Sequence, residues 1–299
     1  ITSAWTSLII AWMSQDAPKV NEAAATLAEL LPRVNQEIYP DQSRLQWESW
    51  YFSALGRMKL IWLLYAFSMI PLLLSVVYRW NAARWFGLSL FMIAFIAHLF
   101  VFGLRWYVSG HFPNSNMYEA VTTAALFGGV LAVICEFFLR RTAMRNLFAI
   151  GSAAASAAAI MATTLFPLEL SAEISNRMPV LHDIWLYIHT NVIIFSYALI
   201  FMASVTAVLY IGNRLISGRK DYAKAGGAAS LIMAGADGTD SRLSRTKATL
   251  GEVLDCVTMV LMELSFVLLW AGIVMGAIWA DHSWGRPWGW DPKEVFALN

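Results

Sequence analysis

Long apolar runs separated by short polar stretches dominate the chain. Six of them, at about 59–78, 85–104, 119–138, 146–167, 185–213 and 257–280, approach or exceed the ~20 residues a helix needs to cross hydrocarbon. The pattern predicts an all-α integral membrane protein, a bundle of about six transmembrane helices. Pro71 is expected to kink the first span. The fourth carries the small-residue run Gly151-Ser152-Ala153-Ala154-Ala155-Ser156-Ala157-Ala158-Ala159, which permits close helix packing. The fifth is long enough to tilt or to project from the bilayer. Residues 1–58 mix polar and apolar positions. Within them Val20, Ala24, Leu27, Leu30 and Leu31 have helical spacing before Pro32 and Pro40. The organisation expected is an extramembrane helical segment over 1–58 and a transmembrane domain over 59–299. The latter includes a linker at 219–250, rich in Gly, Ser and Thr, and a Trp-rich loop within 281–299.

Composition agrees. The chain of 299 residues is 59% hydrophobic and 14% charged, with mean hydropathy +0.57, where a soluble domain carries roughly 25% charge. A net charge of +1 without a basic, aromatic-interleaved stripe argues against a nucleic-acid partner. Cys135 and Cys256 belong to no Cys-x-x-Cys pair and read as buried apolar fillers. One set of loops holds Arg79, Arg84, Arg140, Arg141, Arg145, Arg214, Arg219, Lys220, Lys224, Arg242, Arg245 and Lys247. The opposite set holds Arg105, Arg177, Arg286 and Lys293. The positive-inside rule makes the first set cytoplasmic and puts the N-terminal segment, the 105–118 loop, the 168–184 loop and the Trp-rich stretch outside. The start, Ile1-Thr2-Ser3, shows no signal peptide, and both ends read as cut from a longer polypeptide.

Candidate chemistry concentrates at the outer ends of the spans. Trp284, Trp288 and Trp290 fall within seven residues, broken by Gly285, Pro287 and Gly289 and closed by Asp291-Pro292-Lys293-Glu294. On spacing alone a platform for a flat ligand and an aromatic interfacial belt stay open as alternatives. Asp291-Pro292 also suits a helix start with Asp as N-cap. His189 stands at the outer end of the fifth span, where an interfacial hydrogen-bonded His is the competing reading. His182 reads as a surface residue and His282 as a solvated interfacial His that could serve as a reserve ligand. His98 lies inside the second span, either hydrogen-bonded to a neighbouring helix or functional. Asn116 is placed to cap the third span. Glu263, within the sixth, could face the bundle interior, pair with a polar neighbour or reach the interface.

The run Trp-Gly-x-x-Trp-x-Trp-Asp-Pro-Lys-Glu resembles the tryptophan-rich signature of haem-handling membrane proteins, nearest to the CcsA (ResC-type) component of the System II cytochrome c synthase. A second stretch, Arg105-Trp106-Tyr107-Val108-Ser109-Gly110-His111-Phe112-Pro113-Asn114-Ser115-Asn116-Met117-Tyr118-Glu119, is similar to another signature of that family, as is Trp185-Leu186-Tyr187-Ile188-His189 with Ser196-Tyr197. The likeness covers residues from about 50 onward. It implies a holocytochrome c synthase of the haem lyase type that moves haem b to the external face and joins it to Cys-x-x-Cys-His apocytochromes c. It also implies a CcsB/ResB-like partner half, fused or separate, and a bacterial cytoplasmic or thylakoid-type membrane. His189 becomes the expected axial ligand of the haem iron. Trp284, Gly285, Trp288, Trp290, Asp291, Lys293 and Glu294 become the haem-holding loop, with Lys293 or Arg286 facing the propionates. His98 becomes a transit ligand, and His111 keeps a structural role in its loop.

Two rival readings keep the haem: loading of a haem chaperone in a System I-like manner, and a b-type haem electron-transfer subunit, which would need His pairs in mid-membrane. A non-haem scaffold leaves the Trp-rich loop without a role. The family places a second external His downstream of the Trp-rich signature, and this chain stops at Asn299. A fragment of residues 1–299 is therefore expected to bind haem weakly or not at all, and tight binding in a titration would count against His189 as ligand.

Overall fold

A computed structural model describes residues 2–35, 39–140, 142, 144–174, 183–218 and 249–298. All regular structure among them is helical: α1 Thr2–Met13, α2 Ala17–Val34, α3 Gln42–Met58, α4 Ile61–Tyr78, α5 Asn81–Ser109, α6 Met117–Leu139, α7 Leu147–Leu165, α8 Ile184–Ser217, α9 Leu250–Trp284 and α10 Pro292–Leu298. The chain divides into compact units at Phe52/Ser53, inside α3. In the first unit α1 and α2 pack as a helical pair. They are joined through Gln15 in the left-handed region (φ 54°) and capped by Asp16, whose side chain accepts from the Lys19 amide. The Lys19 side chain, hydrogen-bonded to Asp16 at 2.7 Å, holds that carboxyl below its ordinary value. Of the predicted stripe on α2, Leu27 is buried and Val20 and Leu30 half-buried, while Ala24 and Leu31 are exposed.

Among the described residues six segments are long and apolar enough to cross a membrane, with α3 and α4 counted as one; five lie wholly in the second unit and the first, Gln42–Tyr78, begins before the division. They match the six expected runs. The helices exceed those runs where local chemistry permits. Gly110, in the left-handed region (φ 73°), closes α5 at Ser109. Asn116 caps α6 by accepting from the Glu119 amide, as its position predicts. Thr249 and Glu252 form a reciprocal capping box that starts α9 seven residues before its apolar run. At 34 residues, α8 is about 51 Å long, well beyond a ~30 Å hydrocarbon core. Pro71 lies buried within α4. The 219–250 linker lies outside the described residues apart from its last two.

The small-residue helix α7 is the centre. In its span 61% of the residues are buried, against 22–33% in the others, and it contacts α4, α6 and α8. Gly151 stands where a Cβ would lie 3.5 Å from Met202 of α8, and Ser156 Oγ donates to the Ala125 carbonyl of α6 at 3.3 Å. Backbones approach closely here because the run from Gly151 to Ala159 carries no side chain longer than two atoms. α5 packs on α4, and α9 lies along α8, tied by the Thr206–Thr258 hydroxyl bond of 2.8 Å. Cys135 and Cys256 are free thiols, half-buried and buried. Glu263 is exposed on α9, so burial in the bundle interior is excluded.

The α4–α5 contact is tightest at Gly87, where a Cβ would stand 2.8 Å from Leu72 Cγ and 3.0 Å from its backbone nitrogen. Gly87→Ala is expected to lower stability in detergent by about 1–3 kcal/mol. Gly103→Ala, in open space on the same helix, is expected to leave it unchanged or slightly raised. Equal thermal shifts in the two variants would contradict this packing.

Candidate functional site

At one end of the bundle the 105–119 loop is built around a buried ion pair. Arg105 and Glu119 are 2% and 1% exposed, and Arg105 Nε donates to Glu119 Oε1 at 2.7 Å. The guanidinium has further partners on each terminal nitrogen and on one face. Nη1 donates to the Ala172 carbonyl at 2.8 Å, Nη2 to the Glu173 carbonyl at 3.2 Å, and the plane lies 4.8 Å from the Tyr118 ring centroid. The second carboxylate oxygen accepts from the Ser115 amide at 2.6 Å. Asn116 Nδ2 joins the same Glu173 carbonyl at 3.0 Å. One charge pair thus fixes the end of α5, the start of α6 and the segment after α7. Sequence reasoning placed Arg105 and Glu119 in the second signature without pairing them. The signal for their pairing was the Arg and Glu that bracket the second signature.

The same loop reaches α8. Asn114 Nδ2 donates to Thr190 Oγ1 at 3.2 Å, beside His189. His189 is half-buried, and its Nδ1 lies 2.7 Å from the Gly272 carbonyl of α9. A carbonyl can only accept, so Nδ1 carries a proton, and in the neutral ring Nε2 then carries the lone pair. This tautomer is the one in which Nε2 can bind a metal, and a carbonyl behind Nδ1 is the usual support for a ligating imidazole.

α9 ends at Trp284 because Gly285 takes the left-handed conformation (φ 69°) and returns its N–H to the Asp281 carbonyl at 2.8 Å. The Trp-rich loop that follows is folded on its own backbone. Asp291 Oδ1 accepts from the Glu294 amide at 2.8 Å, the N-cap role its Asp-Pro context predicts. Glu294 Oε2 accepts from the Gly289 amide at 2.7 Å and the Asp291 amide at 3.4 Å. Trp290 is held in the left-handed region (φ 56°), a strained place for a bulky residue. The rings of Trp288 and Trp290 meet edge to face with centroids 6.1 Å apart. Trp284 and Trp290 are 63% and 73% exposed, while Trp288 is half-buried with its indole N–H unpartnered. Both acidic side chains therefore shape the loop, and indole surface is left outward. Gly289 leaves room for the Arg286 guanidinium, 3.1 Å from where a Cβ would be. The Lys293 side chain lies outside the described residues.

The other histidines are spread out. His98 is 4% exposed, with Nδ1 3.4 Å from the Tyr65 hydroxyl. The Thr122 backbone also approaches its imidazole, while Nε2 makes no hydrogen bond. It lines a pocket of about 30 Å³ with Lys59, Arg105 and Tyr118, enough to admit water. His111 Nδ1 sits 3.1 Å from the Phe112 carbonyl and 3.3 Å from Ser115 Oγ, inside the 105–119 loop. His282 is exposed, 3.9 Å from the Asp183 carboxylate. His182 lies outside the described residues. Among the described residues no three His, Cys, Asp or Glu side chains converge as a metal cage. A haem does not require one, since the porphyrin supplies four ligands and the protein only the axial positions.

The chain is similar in sequence to known proteins. The family described as cytochrome C assembly protein matches residues 114–298, a span that includes His189 and the whole Trp-rich loop. A cytochrome c biogenesis protein CcsA from Synechococcus sp. (strain CC9311) is 31% identical over 249 residues, 79% of each chain. That of Guillardia theta is 30% identical over 245 residues, 77% of each. That of Prochlorococcus marinus (strain MIT 9313) is 34% identical over 204 residues, 65% of this chain and 62% of its own.

Removing one partner of a buried ion pair leaves the other charge unanswered and costs about 3–5 kcal/mol. Glu119→Gln is expected to lose stability on that order and to open the 105–116 loop to protease. Resistance equal to the parent's would contradict the anchoring role of the pair.

Proposed function

The chain belongs to the cytochrome c assembly protein family, and from that premise we propose that it holds haem at the external membrane face for attachment to apocytochrome c. Its membrane-spanning architecture and its place in cytochrome c biogenesis follow from the six apolar segments and the family. The observation that carries the finer reading is the His189–Gly272 hydrogen bond, which sets the lone pair on Nε2. In this reading His189 Nε2 is an axial ligand to iron. Trp284, Trp288 and Trp290 stack on or edge the porphyrin, with Gly285, Asp291 and Glu294 fixing the loop that presents them. Arg286 and Lys293 pair with the propionates. His98 serves as a ligand along the route inside the bundle. The distribution of Lys and Arg supports an external Trp-rich loop.

Bound haem supplies two vinyl groups, and addition of a thiol S–H across each forms one C–S and one C–H bond without net oxidation. The protein's part is placement: one axial position held by His189, and an aromatic surface that leaves the incoming Cys-x-x-Cys-His segment an approach. A CcsB/ResB-like half is the partner that completes the assembly.

The test is an absorption spectrum of the full-length protein, purified in detergent, beside His189→Gly. The parent is expected to show a low-spin reduced haem spectrum that the variant loses and added imidazole restores. An unchanged spectrum in His189→Gly would remove His189 from the iron.

A further inference from the structure

A His that binds iron must present one nitrogen and have the other tied down. A side chain on one helix rarely reaches a carbonyl inside a neighbouring helix, because each C=O points along the axis toward residue i+4 and is bonded to the N–H there. His189 does reach one, and the two residues that permit it are Gly272 and Gly276. The Gly272 carbonyl points toward position 276. A Cβ at Gly276 would stand 2.6 Å from His189 Cε1, 2.9 Å from Nδ1 and 3.1 Å from Nε2, across the full width of the imidazole. One turn further along α8, Ile193 fills the place of a Gly272 Cβ, with Cδ1 2.4 Å from it. The pair is a Gly-x-x-x-Gly face onto which two successive turns of α8 are pressed.

We propose that Gly276 and Gly272 are positioning residues for His189. Gly276 leaves the Gly272 carbonyl uncovered, and that carbonyl fixes the imidazole tautomer and ring direction. The inference rests on the reading of His189 as an axial ligand. It assigns α9 two tasks: its end carries the Trp-rich loop, and a bare stretch of its backbone two to three turns earlier aims the ligand toward the same end of the bundle. An alanine at 276 would overlap a rigid ring, so the imidazole must rotate away and lose the Gly272 bond. Loss of such a supporting contact costs about 10–100-fold in metal affinity.

The experiment compares full-length parent, Gly276→Ala, His189→Gly, the double variant and Gly212→Ala, all purified in detergent after expression with ample haem. Gly212 is on α8 with nothing within 4 Å of its Cβ position and controls for helix propensity. Gly276→Ala is expected to lose low-spin haem about 10–100-fold and to recover the low-spin spectrum with added imidazole, while Gly212→Ala matches the parent. A parental spectrum in Gly276→Ala beside a lost one in His189→Gly overturns the positioning role alone. Failure of imidazole to restore a monodisperse Gly276→Ala protein does the same. An unchanged spectrum in His189→Gly overturns the ligand reading and the inference with it. Thermal stability provides a haem-independent arm. Truncating His189 removes the overlap, so Gly276→Ala is expected to lower the melting temperature of the parent but not of His189→Gly. An equal drop in both backgrounds would mean that the added methyl meets something other than the imidazole, and the inference fails.

Discussion

Hydrocarbon offers no hydrogen bonds, so a polar group inside a membrane bundle must find its partner in the protein. That constraint explains where this structure spends its polar side chains. Arg105 directs its donors to the Glu119 carboxylate and to two carbonyls of the segment after α7. Toward the other ends of α5 and α6, Asn146 sits in the left-handed region (φ 69°). It accepts from Arg84 at 3.2 Å, donates to Ser75 at 2.8 Å and gives its amide to Glu136. Each network joins elements that are distant in sequence and pins a turn between helices. The connections are fixed by buried polar groups, and small residues on α7 and α9 let the spans between them approach.

The second consequence concerns backbone. Where Gly, Ala and Ser let helices approach, carbonyls that are normally covered become available as acceptors. The Ala125 carbonyl receives Ser156 in the centre of the bundle, and the Gly272 carbonyl receives His189 near its end. The first contact is structural. The second acts on a titratable ring and selects which nitrogen carries the proton. Packing of α8 on α9 and the chemistry of His189 are thus one feature, and the Trp-rich loop is a continuation of the helix that provides it. The loop keeps its own shape through Asp291 and Glu294, which leaves its indoles for a ligand.

Much of this could be read in the sequence. The six spans stand out because hydropathy is a local property, and the caps at Asn116 and Asp291 because capping residues act within three positions. Helix ends were less legible. α5 begins four residues before its apolar run and ends five after it, and α9 gains its first turns from a capping box. His189 was singled out by its motif, yet its partner Gly272 is 83 residues away and bonds through a backbone atom that no side-chain pattern reveals. Gly276 was equally silent, since a glycine in an apolar span has many uses. Arg105 and Glu119 bracketed the second signature with no role assigned to them until their 2% and 1% exposure showed them to be the anchor of its loop.

The central claim is that the fold selects one tautomer of His189 before any ligand arrives. The most direct measurement is the ¹⁵N spectrum of His189 in the haem-free, bilayer-reconstituted protein, assigned by comparison with His189→Gly. The account predicts a neutral ring with a protonated, hydrogen-bonded Nδ1 and an unprotonated Nε2. A proton on Nε2, or equal populations of the two tautomers, would contradict it.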